Sequence, residues 1–457
     1  MNNVGLFLAL LVICNIAIFG ILLLKFYLRN LQWIIPSILI LVGFGALIQN
    51  IFLPREVVTA GSSIYLERAI YQGNELWVRI GQVTTFLFYL LSGLGILAAL
   101  FLRRESQSKR GLFVTIVGIS VYIPVIISSL VSPNGGFRHE LFIFPIFILA
   151  VYLSPRQDLK DFYKLIQIIT LVFIYGSIIA LIVNPSWAGD DYFSSWIGLN
   201  YRLSGLLSHA NGLGYLSVVS IMITVAVKQR KTIRTLHIIA SLFTLILSQS
   251  KTAWLALIIW VIYFLITRYI RGKKTMSSLL MVSILIGIFI SIPMIIKYQS
   301  FFSFLPEEVT SLTGRTDIWN ISIGEWRENP IIGYGPNFWN LDYRLSLGEQ
   351  FLWAGQAHNQ ILHTLGESGL LGIITLLVYL LVIYLAIRNG LPKKTMLLSS
   401  LTILLFVRLI TETPLRNVSL DHSFIIHAIF FILLINSSTS SILTTHLDKT
   451  NTFKTHQ

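Results

Sequence analysis

The sequence is poor in charged residues and holds a single cysteine. Asp, Glu, Lys and Arg make up only 12% of its 457 residues, against about 25% in soluble proteins. Hydrophobic residues make up 55%, and the mean hydropathy is +0.76. These values exclude a soluble fold. With Cys14 alone, the chain can form neither an internal disulfide nor a cysteine-based metal site.

Apolar runs of about 20 residues, the length that crosses a bilayer, recur along the chain. We predict an all-α polytopic membrane protein with about 12–14 transmembrane helices. Residues 1–437 form one transmembrane domain, and residues 438–457 a short polar cytoplasmic tail. The first run has no basic segment before it and no cleavage site after it, which favours a span over a signal peptide. The runs begin near Val4, Trp33, Gly81, Gly111, Leu141, Leu165, Gly214, Leu236, Thr252, Met276, Gly369, Thr395 and Ser423.

The net charge of +14 reflects membrane topology and not nucleic-acid binding. Most Lys and Arg residues fall in short connections that lie on one side when the runs are threaded alternately. By the positive-inside rule that side is the cytoplasm, and the amino terminus is outside. Internal repeats of the kind that mark many transporters are absent from the sequence. The opposite, outward loops are richer in polar and aromatic residues, and cover 54–79, 132–140, 184–211, 299–367 and 411–422.

The longest outward loop, bounded at residues 298–367, is predicted to carry short helices. Loops of this length inside a compact protein are usually functional or disordered, and its aromatic content argues against disorder. Trp319, Ile323 and Trp326 recur at helical spacing and predict an amphipathic helix. Turns are predicted after it, at Pro330, Gly333, Gly335 and Pro336.

Two arginines in outward loops are candidates for binding phosphate. A guanidinium grips phosphate oxygens bidentately and stays charged at any relevant pH. Arg202 could instead be an interfacial anchor for lipid headgroups, and Arg315 a solvated loop charge. Thr316 or Asp317 could cap the helix that follows Arg315.

His358 is the candidate general base, because an imidazole titrates near neutrality and can take a proton from an attacking sugar hydroxyl. If the helix begins at this residue, His358, Leu362 and Gly366 share one face. The alternative is a histidine that only bonds a loop. Glu367 could orient His358, or could pair with His363 one turn away.

A second tier of candidates surrounds these residues. Ionisable groups at membrane depth are functional by default, with pairing to a carboxylate such as Glu412 as the alternative for Arg408. The pairs Asp190–Asp191 and Asp421–His422 are predicted to lie on solvated loop surfaces and not to form a metal site, because no spaced set of carboxylates accompanies them. The second-tier candidates are His209, Asn211, Lys251, Asn359, Glu367 and Arg408.

Four segments together resemble the O-antigen ligase and polymerase superfamily of membrane glycosyltransferases, over roughly residues 201–372. They are YRLSGLLSHANGLG from Tyr201, SQSKTAWLAL from Ser248, GRTDIWNISIGEWRENPIIGYGPNFW from Gly314 and HNQILHTLGESGLLG from His358. The order of the segments, with a large outer loop before the HN motif, is more specific than any one of them. The sequence departs from the family pattern at two places. It reads HAN from His209, where the family often has a proline, and it has Lys251 where the family often has the arginine of SxSRTAW.

The resemblance implies an inverting glycosyl transfer on the outer face of the cytoplasmic membrane, without a metal or other cofactor. The donor would be a glycan on undecaprenyl diphosphate, bound by Arg202 and Arg315, and His358 would be the essential histidine. The acceptor would be a glycan or a lipid-glycan. Besides membrane lipids, the expected partner proteins are a flippase and a chain-length regulator.

Three functions remain open from the sequence. We favour a polymerase of capsule, exopolysaccharide or O-antigen repeat units over a ligase, because nothing in the sequence selects a lipid A acceptor. A flippase or transporter fits the span count equally well, but it would place its charges near mid-membrane. A non-catalytic scaffold for envelope assembly is the third reading.

Overall fold

The computed structural model describes residues 31–51, 75–101, 109–132, 134–155, 158–191, 197–269, 315–348, 351, 354–390, 396–416 and 419–439. Nearly all of this part is helical. The helices are α1 (Ile34–Ile51), α2 (Glu75–Phe101), α3 (Lys109–Ser120), α4 (Ile123–Val131), α5 (Ile143–Leu153), α6 (Leu159–Val183), α7 (Pro185–Ala188), α8 (Ala210–Ala226), α9 (Lys231–Ser248), α10 (Lys251–Tyr269), α11 (Arg315–Glu328), α12 (Leu341–Leu347), α13 (Gln360–Gly390), α14 (Met396–Thr411) and α15 (His422–Thr439).

The predicted all-α polytopic membrane fold is confirmed. In the described part, five helical segments are long and apolar enough to cross a membrane: 78–100, 109–131, 159–183, 231–248 and 360–386. Shorter apolar helices occupy 34–50, 139–153, 210–226, 251–267, 397–411 and 422–436. Each of these helices coincides with a predicted run. The runs predicted near Val4 and Met276, and the tail from residue 440, lie outside the described residues.

Helix α8 lies at the centre of the bundle. It packs against α6, α9, α10, α14 and α15, and most of its side chains are buried. An apolar surface on all sides is what such a central helix requires. Gly214 permits close approach to the start of α10, because a Cβ there would lie 2.6 Å from Cβ of Ser250. Small residues are common where membrane helices pack closely.

A small antiparallel sheet, which the sequence did not predict, precedes α8. Its strands are β1 (Gly189–Asp191) and β2 (Tyr201–Leu203), and Arg202 lies opposite Asp190. The turn between α9 and α10 holds β2 in place. Gln249, in the left-handed conformation at φ 47°, donates from Nε2 to the carbonyl oxygens of Leu199 at 2.8 Å and Tyr201 at 2.7 Å.

The described residues of the longest predicted loop form a separate layer over the helix bundle, the outer layer, with a small core of its own. The amphipathic helix predicted there is α11, although Trp319 is buried whereas Ile323 and Trp326 are half-buried. The predicted turns are also present, with φ of +68° at Gly333 and +113° at Gly335. The core of this layer consists of Ile318, Phe338, Trp339, Tyr343, Ala354 and Ala357.

The outer layer is fastened to α13 where that helix breaks at Gly369 (φ 60°, ψ −154°). The break releases main-chain groups, and the turn at 330–335 satisfies them. Tyr334 N–H donates to the Gly366 carbonyl at 2.7 Å, and Gly335 N–H donates to the Glu367 carbonyl at 3.0 Å. In the other direction, the N–H groups of residues 370 and 371 donate to the carbonyls of residues 330 and 331. The break thus anchors the turn at 330–335, which follows α11 in the chain.

We expect Gly369→Ala to lower the thermal midpoint of the protein clearly. Its backbone conformation is restricted to glycine, and a Cβ would lie 2.5 Å from the Ile331 carbonyl group. Strain of this kind costs about 1–3 kcal/mol. Gly324→Ala is the matched control, because Gly324 lies in α11 and a Cβ there meets nothing within 4 Å. Midpoints in detergent that are equal for the two variants would contradict the anchoring role of the break.

Candidate functional site

A carboxylate, Glu412, is the centre of a polar network at one end of the bundle. It directly follows α14 and is only 7% exposed. Its Oε1 accepts a hydrogen bond from Nδ2 of Asn211 at 3.0 Å. Its Oε2 accepts from Nε2 of Gln356 at 2.6 Å and lies 3.2 Å from Nδ1 of His358. Three segments that are far apart in the sequence therefore meet at this side chain.

Glu412 is held in its ionised form. Burial alone raises the pKa of this carboxyl group, but the hydrogen bond from His358, the electrostatic influence of that imidazole and the charge of Arg315 outweigh it. The result is a pKa of about 2. Since a carboxylate can only accept hydrogen bonds, a neutral His358 must carry its proton on Nδ1 to bond Glu412. Its Nε2 is then the nitrogen that can accept a proton.

His358 lies before the helix and not within it, which corrects the expectation of a face shared with Leu362 and Gly366. Helix α13 begins at Gln360, and His358 adopts the left-handed conformation at φ 49°. Asn359 is the cap, since its Oδ1 accepts from the N–H groups of residues 361 and 362 at 3.0 and 3.1 Å. A non-glycine residue with positive φ is uncommon and often marks a functional site.

Residues 354–359, the strap that carries His358, are held from both sides. On one side the indole of Trp319 in α11 bonds the strap, and on the other side the segment after α14 does. The position of the imidazole therefore depends on both neighbours. The bonds run from Trp319 Nε1 to the Ala357 carbonyl at 2.9 Å, from the Thr413 hydroxyl to Oε1 of Gln356, and from Arg416 to the Gly355 carbonyl.

Arg202 reaches the network from β2. Its Nε donates to the Ser248 carbonyl at 3.0 Å, and its Nη2 donates to Oδ1 of Asn211 at 2.6 Å. The SQSK turn thus supplies a main-chain acceptor that orients this guanidinium. Lys251 is the first residue of α10 and is half-buried.

Arg315 is the first residue of α11. Its Nη1 donates to the carbonyl of Thr411 at 3.2 Å, next to Glu412, and its charge helps to lower the pKa of that carboxylate. Cations are favoured at a helix C-terminus such as the end of α14. The capping predicted for Thr316 or Asp317 is wrong, because both residues lie inside the first turn of α11.

His209 caps the start of α8. Its Nδ1 accepts from the N–H of Asn211 at 3.1 Å, which places the ring proton on Nε2. The side chain is exposed. Together these facts describe a neutral hydrogen-bond donor at the edge of the network.

The comparison with protein families matches part of the chain. Residues 236–377, about a third of the chain, match the family model described as O-antigen ligase. The resemblance seen in the motifs is therefore confirmed over this segment. No curated protein sequence matches the chain.

The matched segment contains only part of the network. Arg315 and His358 lie inside the matched residues, whereas Arg202, Asn211 and Glu412 lie outside them. The network is completed by β2, by the start of α8 and by the segment after α14. It lies where α8, α10, α11 and α13 begin and α14 ends.

Two second-tier candidates have other contacts. Glu367, inside the matched segment, lies with Oε1 at 3.8 Å from Nε2 of His363, which is the pairing considered from the sequence. Arg408 is buried, donates to the Ser423 hydroxyl at 2.7 Å and lies over the ring of Tyr215 at 4.9 Å. Its hydrogen bond therefore goes to a hydroxyl and not to Glu412.

Two groups in the network were missed from the sequence. Glu412 was considered only as a partner for Arg408, and Gln356 was not considered. A signal was present for Glu412, because an acidic residue directly after a span and at the edge of an outward loop lies near the other outward candidates. Gln356 carries no such signal. Of the acidic pairs, the residues at 190–191 form β1, and Asp421 caps α15 by accepting from Ser423 N–H at 2.8 Å.

Proposed function

We propose that the chain is a membrane glycosyltransferase that polymerises lipid-linked oligosaccharide repeat units into a surface polysaccharide, such as capsule, exopolysaccharide or O-antigen. The observation that carries this proposal is the convergence of Arg202, Arg315 and His358 around Glu412, with Arg315 and His358 inside the segment that matches the O-antigen ligase family model. The proposed location is the cytoplasmic membrane, with the network facing the extracytoplasmic side. That orientation follows from the basic connections on the opposite side.

The proposed donor is a glycan on undecaprenyl diphosphate. Its isoprenoid would lie among the apolar helices, and its diphosphate would reach the end of the bundle where Arg202 and Arg315 lie. As the glycan leaves, the bond from the anomeric carbon to the diphosphate oxygen breaks and that oxygen keeps the electron pair. Fixed guanidinium groups outside bulk water stabilise the charge that develops there. We propose no metal in this step.

His358 is the proposed general base. An acceptor hydroxyl would give its proton to Nε2 of His358 while its oxygen attacks the anomeric carbon, which inverts the configuration there. The imidazolium that forms donates from Nδ1 to Glu412, whose negative charge stabilises it. The carboxylate also orients the ring before the reaction.

A ligase that transfers finished polymer to an envelope acceptor is the second candidate, because the matched family model is described as O-antigen ligase. The network suits either enzyme, since both transfer a glycan from a lipid diphosphate to a hydroxyl. A flippase or transporter is the candidate of another class. The polar network at one end of the bundle favours the enzymes over it.

Polymer length tests these three functions. A strain that lacks the gene would be complemented with wild type, Arg202→Ala, Arg315→Ala or His358→Ala, with expression checked for each variant. A polymerase defect should leave single repeat units on the acceptor, whereas a ligase defect should leave intact polymer on its lipid carrier. Unchanged ladders in all three variants would contradict both enzymes and favour the transporter.

Arg315→Lys should raise the KM for the lipid donor about tenfold to a hundredfold. Lysine keeps the charge but loses the bidentate fork that matches phosphate oxygens. The control is Arg327→Lys, which changes an exposed arginine near the other end of the same helix. The measurement is the transfer rate against donor concentration in detergent or lipid. Equal KM values for the two variants would remove Arg315 from the diphosphate site.

A further inference from the structure

Asn211 stands between a guanidinium and a carboxylate. Its Oδ1 accepts from Nη2 of Arg202 at 2.6 Å, while its Nδ2 donates to Oε1 of Glu412 at 3.0 Å. Its main-chain N–H is used as well, since it donates to His209 Nδ1 at 3.1 Å. The side-chain amide is therefore oriented by one donor and one acceptor, which only asparagine among residues of this length can satisfy together.

Without such a spacer the two charged groups would attract each other. Guanidinium and carboxylate groups form short bidentate pairs, and the attraction is strong where little water reaches them. Glu412 is 7% exposed, and its ion pair in the described part of the chain is with His358. A direct pair between Arg202 and Glu412 would draw the carboxylate away from that imidazole.

We infer that Asn211 is a positioning residue that keeps Arg202 and Glu412 from forming a direct ion pair. Arg202 is thereby kept for the donor diphosphate and Glu412 for His358. The roles at the two ends rest on the proposed function, whereas the separation of the two groups rests on the hydrogen bonds alone. Asn211 touches neither the anomeric carbon nor the attacking hydroxyl in this account.

The first test is structural and does not depend on activity. In the full chain in lipid nanodiscs, Asn211→Ala removes the amide and leaves both charged groups in place. We expect a guanidinium nitrogen of Arg202 to move within about 4 Å of a Glu412 oxygen, the limit for an ion pair, and the contact of Glu412 with His358 to lengthen. A variant structure in which the two groups keep their wild-type separation would overturn the inference.

The second test is a double-mutant cycle on the transfer rate. In the wild-type background Asn211→Ala should lower the rate about tenfold to a hundredfold. In an Arg202→Gln background the same change should lower it by about threefold at most, because no cation remains to pair with Glu412. If Asn211 only stabilised the start of α8, Asn211→Ala would lower the transfer rate by the same factor in both backgrounds. That result would overturn the inference.

The structural test and the double-mutant cycle together distinguish a failure of this inference from a failure of the proposed function. Thermal midpoints of the single and double variants show whether each one is folded. If purified wild type transfers no glycan from a lipid diphosphate, while Asn211→Ala shows the new ion pair, the proposed function fails and the separating role of Asn211 stands. If wild type is active and the cycle is additive, the proposed function stands and the inference fails.

Discussion

His358→Ala should lower the rate of glycan transfer by a factor of about 10²–10⁴, which is the usual contribution of a general base. The reason is that Asn211 and Gln356, which also bond Glu412, carry amides that cannot take up a proton, whereas the imidazole of His358, with Nδ1 at 3.2 Å from the carboxylate, can. The rate should be measured with purified protein and lipid-linked donor at saturating donor concentration. Donor KM should change little, because the imidazole acts on the acceptor hydroxyl.

The left-handed backbone at His358 calls for a second variant. Alanine is strained at φ 49°, so a loss of activity in His358→Ala could reflect the strap and not the imidazole. His358→Asn avoids this, because asparagine tolerates that conformation but cannot act as a base at neutral pH. His139→Ala is the control, since that side chain is 64% exposed in another loop that is predicted to face outward. Full activity in His358→Asn at normal expression would exclude the proposed base.

Glu412→Gln should lower the transfer rate almost as much, by about 10²–10⁴. Glutamine preserves the size of the side chain, but it removes the negative charge that stabilises the imidazolium. Its amide can also donate to Nδ1 of His358, which would favour the tautomer with the proton on Nε2. The corresponding change in a serine protease lowers kcat about 10⁴-fold. The matched control is Glu325→Gln, because Glu325 accepts from the Tyr343 hydroxyl at 2.8 Å and glutamine can still accept that bond. We expect the control to stay within about threefold of wild type, since no charge is required there.

The acid stability of the protein provides a separate measurement for Glu412. Its pKa of about 2 in the folded protein lies below the value of about 4.3 expected in an unfolded chain. Ionised Glu412 therefore stabilises the fold above about pH 4.3, and this contribution is lost as the pH falls towards 2. The thermal midpoint of wild type should exceed that of Glu412→Gln at pH 7, and the difference should shrink below about pH 4.3. A constant difference down to pH 3 would mean that the ionised carboxylate is not the stabilising group.

The membrane fold could be predicted from the sequence because hydrophobicity is a local signal. A run of about 20 apolar residues reads as a span wherever it later packs. Helix α8 was found in this way although its neighbours were unknown. The same holds for α11 and for the turns at Gly333 and Gly335, whose residue types restrict the local backbone.

The candidate site could be predicted only in part. Arg202, Arg315 and His358 were recognised by residue type, by their place in outward loops and by the motifs around them. The start of α13 was placed two residues too early, because a histidine in the left-handed conformation has no sequence signal of its own. The small sheet that carries Arg202 was missed for a related reason, since strands of three residues are too short to show periodicity.

The sequence by itself determined that this is a multi-pass membrane protein, where most of its described helices run and which residues in its predicted outward loops could carry charge chemistry. Only the tertiary structure decided that Glu412 joins Asn211, Gln356 and His358, since the bonds that unite them connect segments as far as 201 residues apart. Contacts of that kind depend on how the helices pack, which local composition does not encode. The same packing decides that Asn211 keeps Arg202 apart from Glu412.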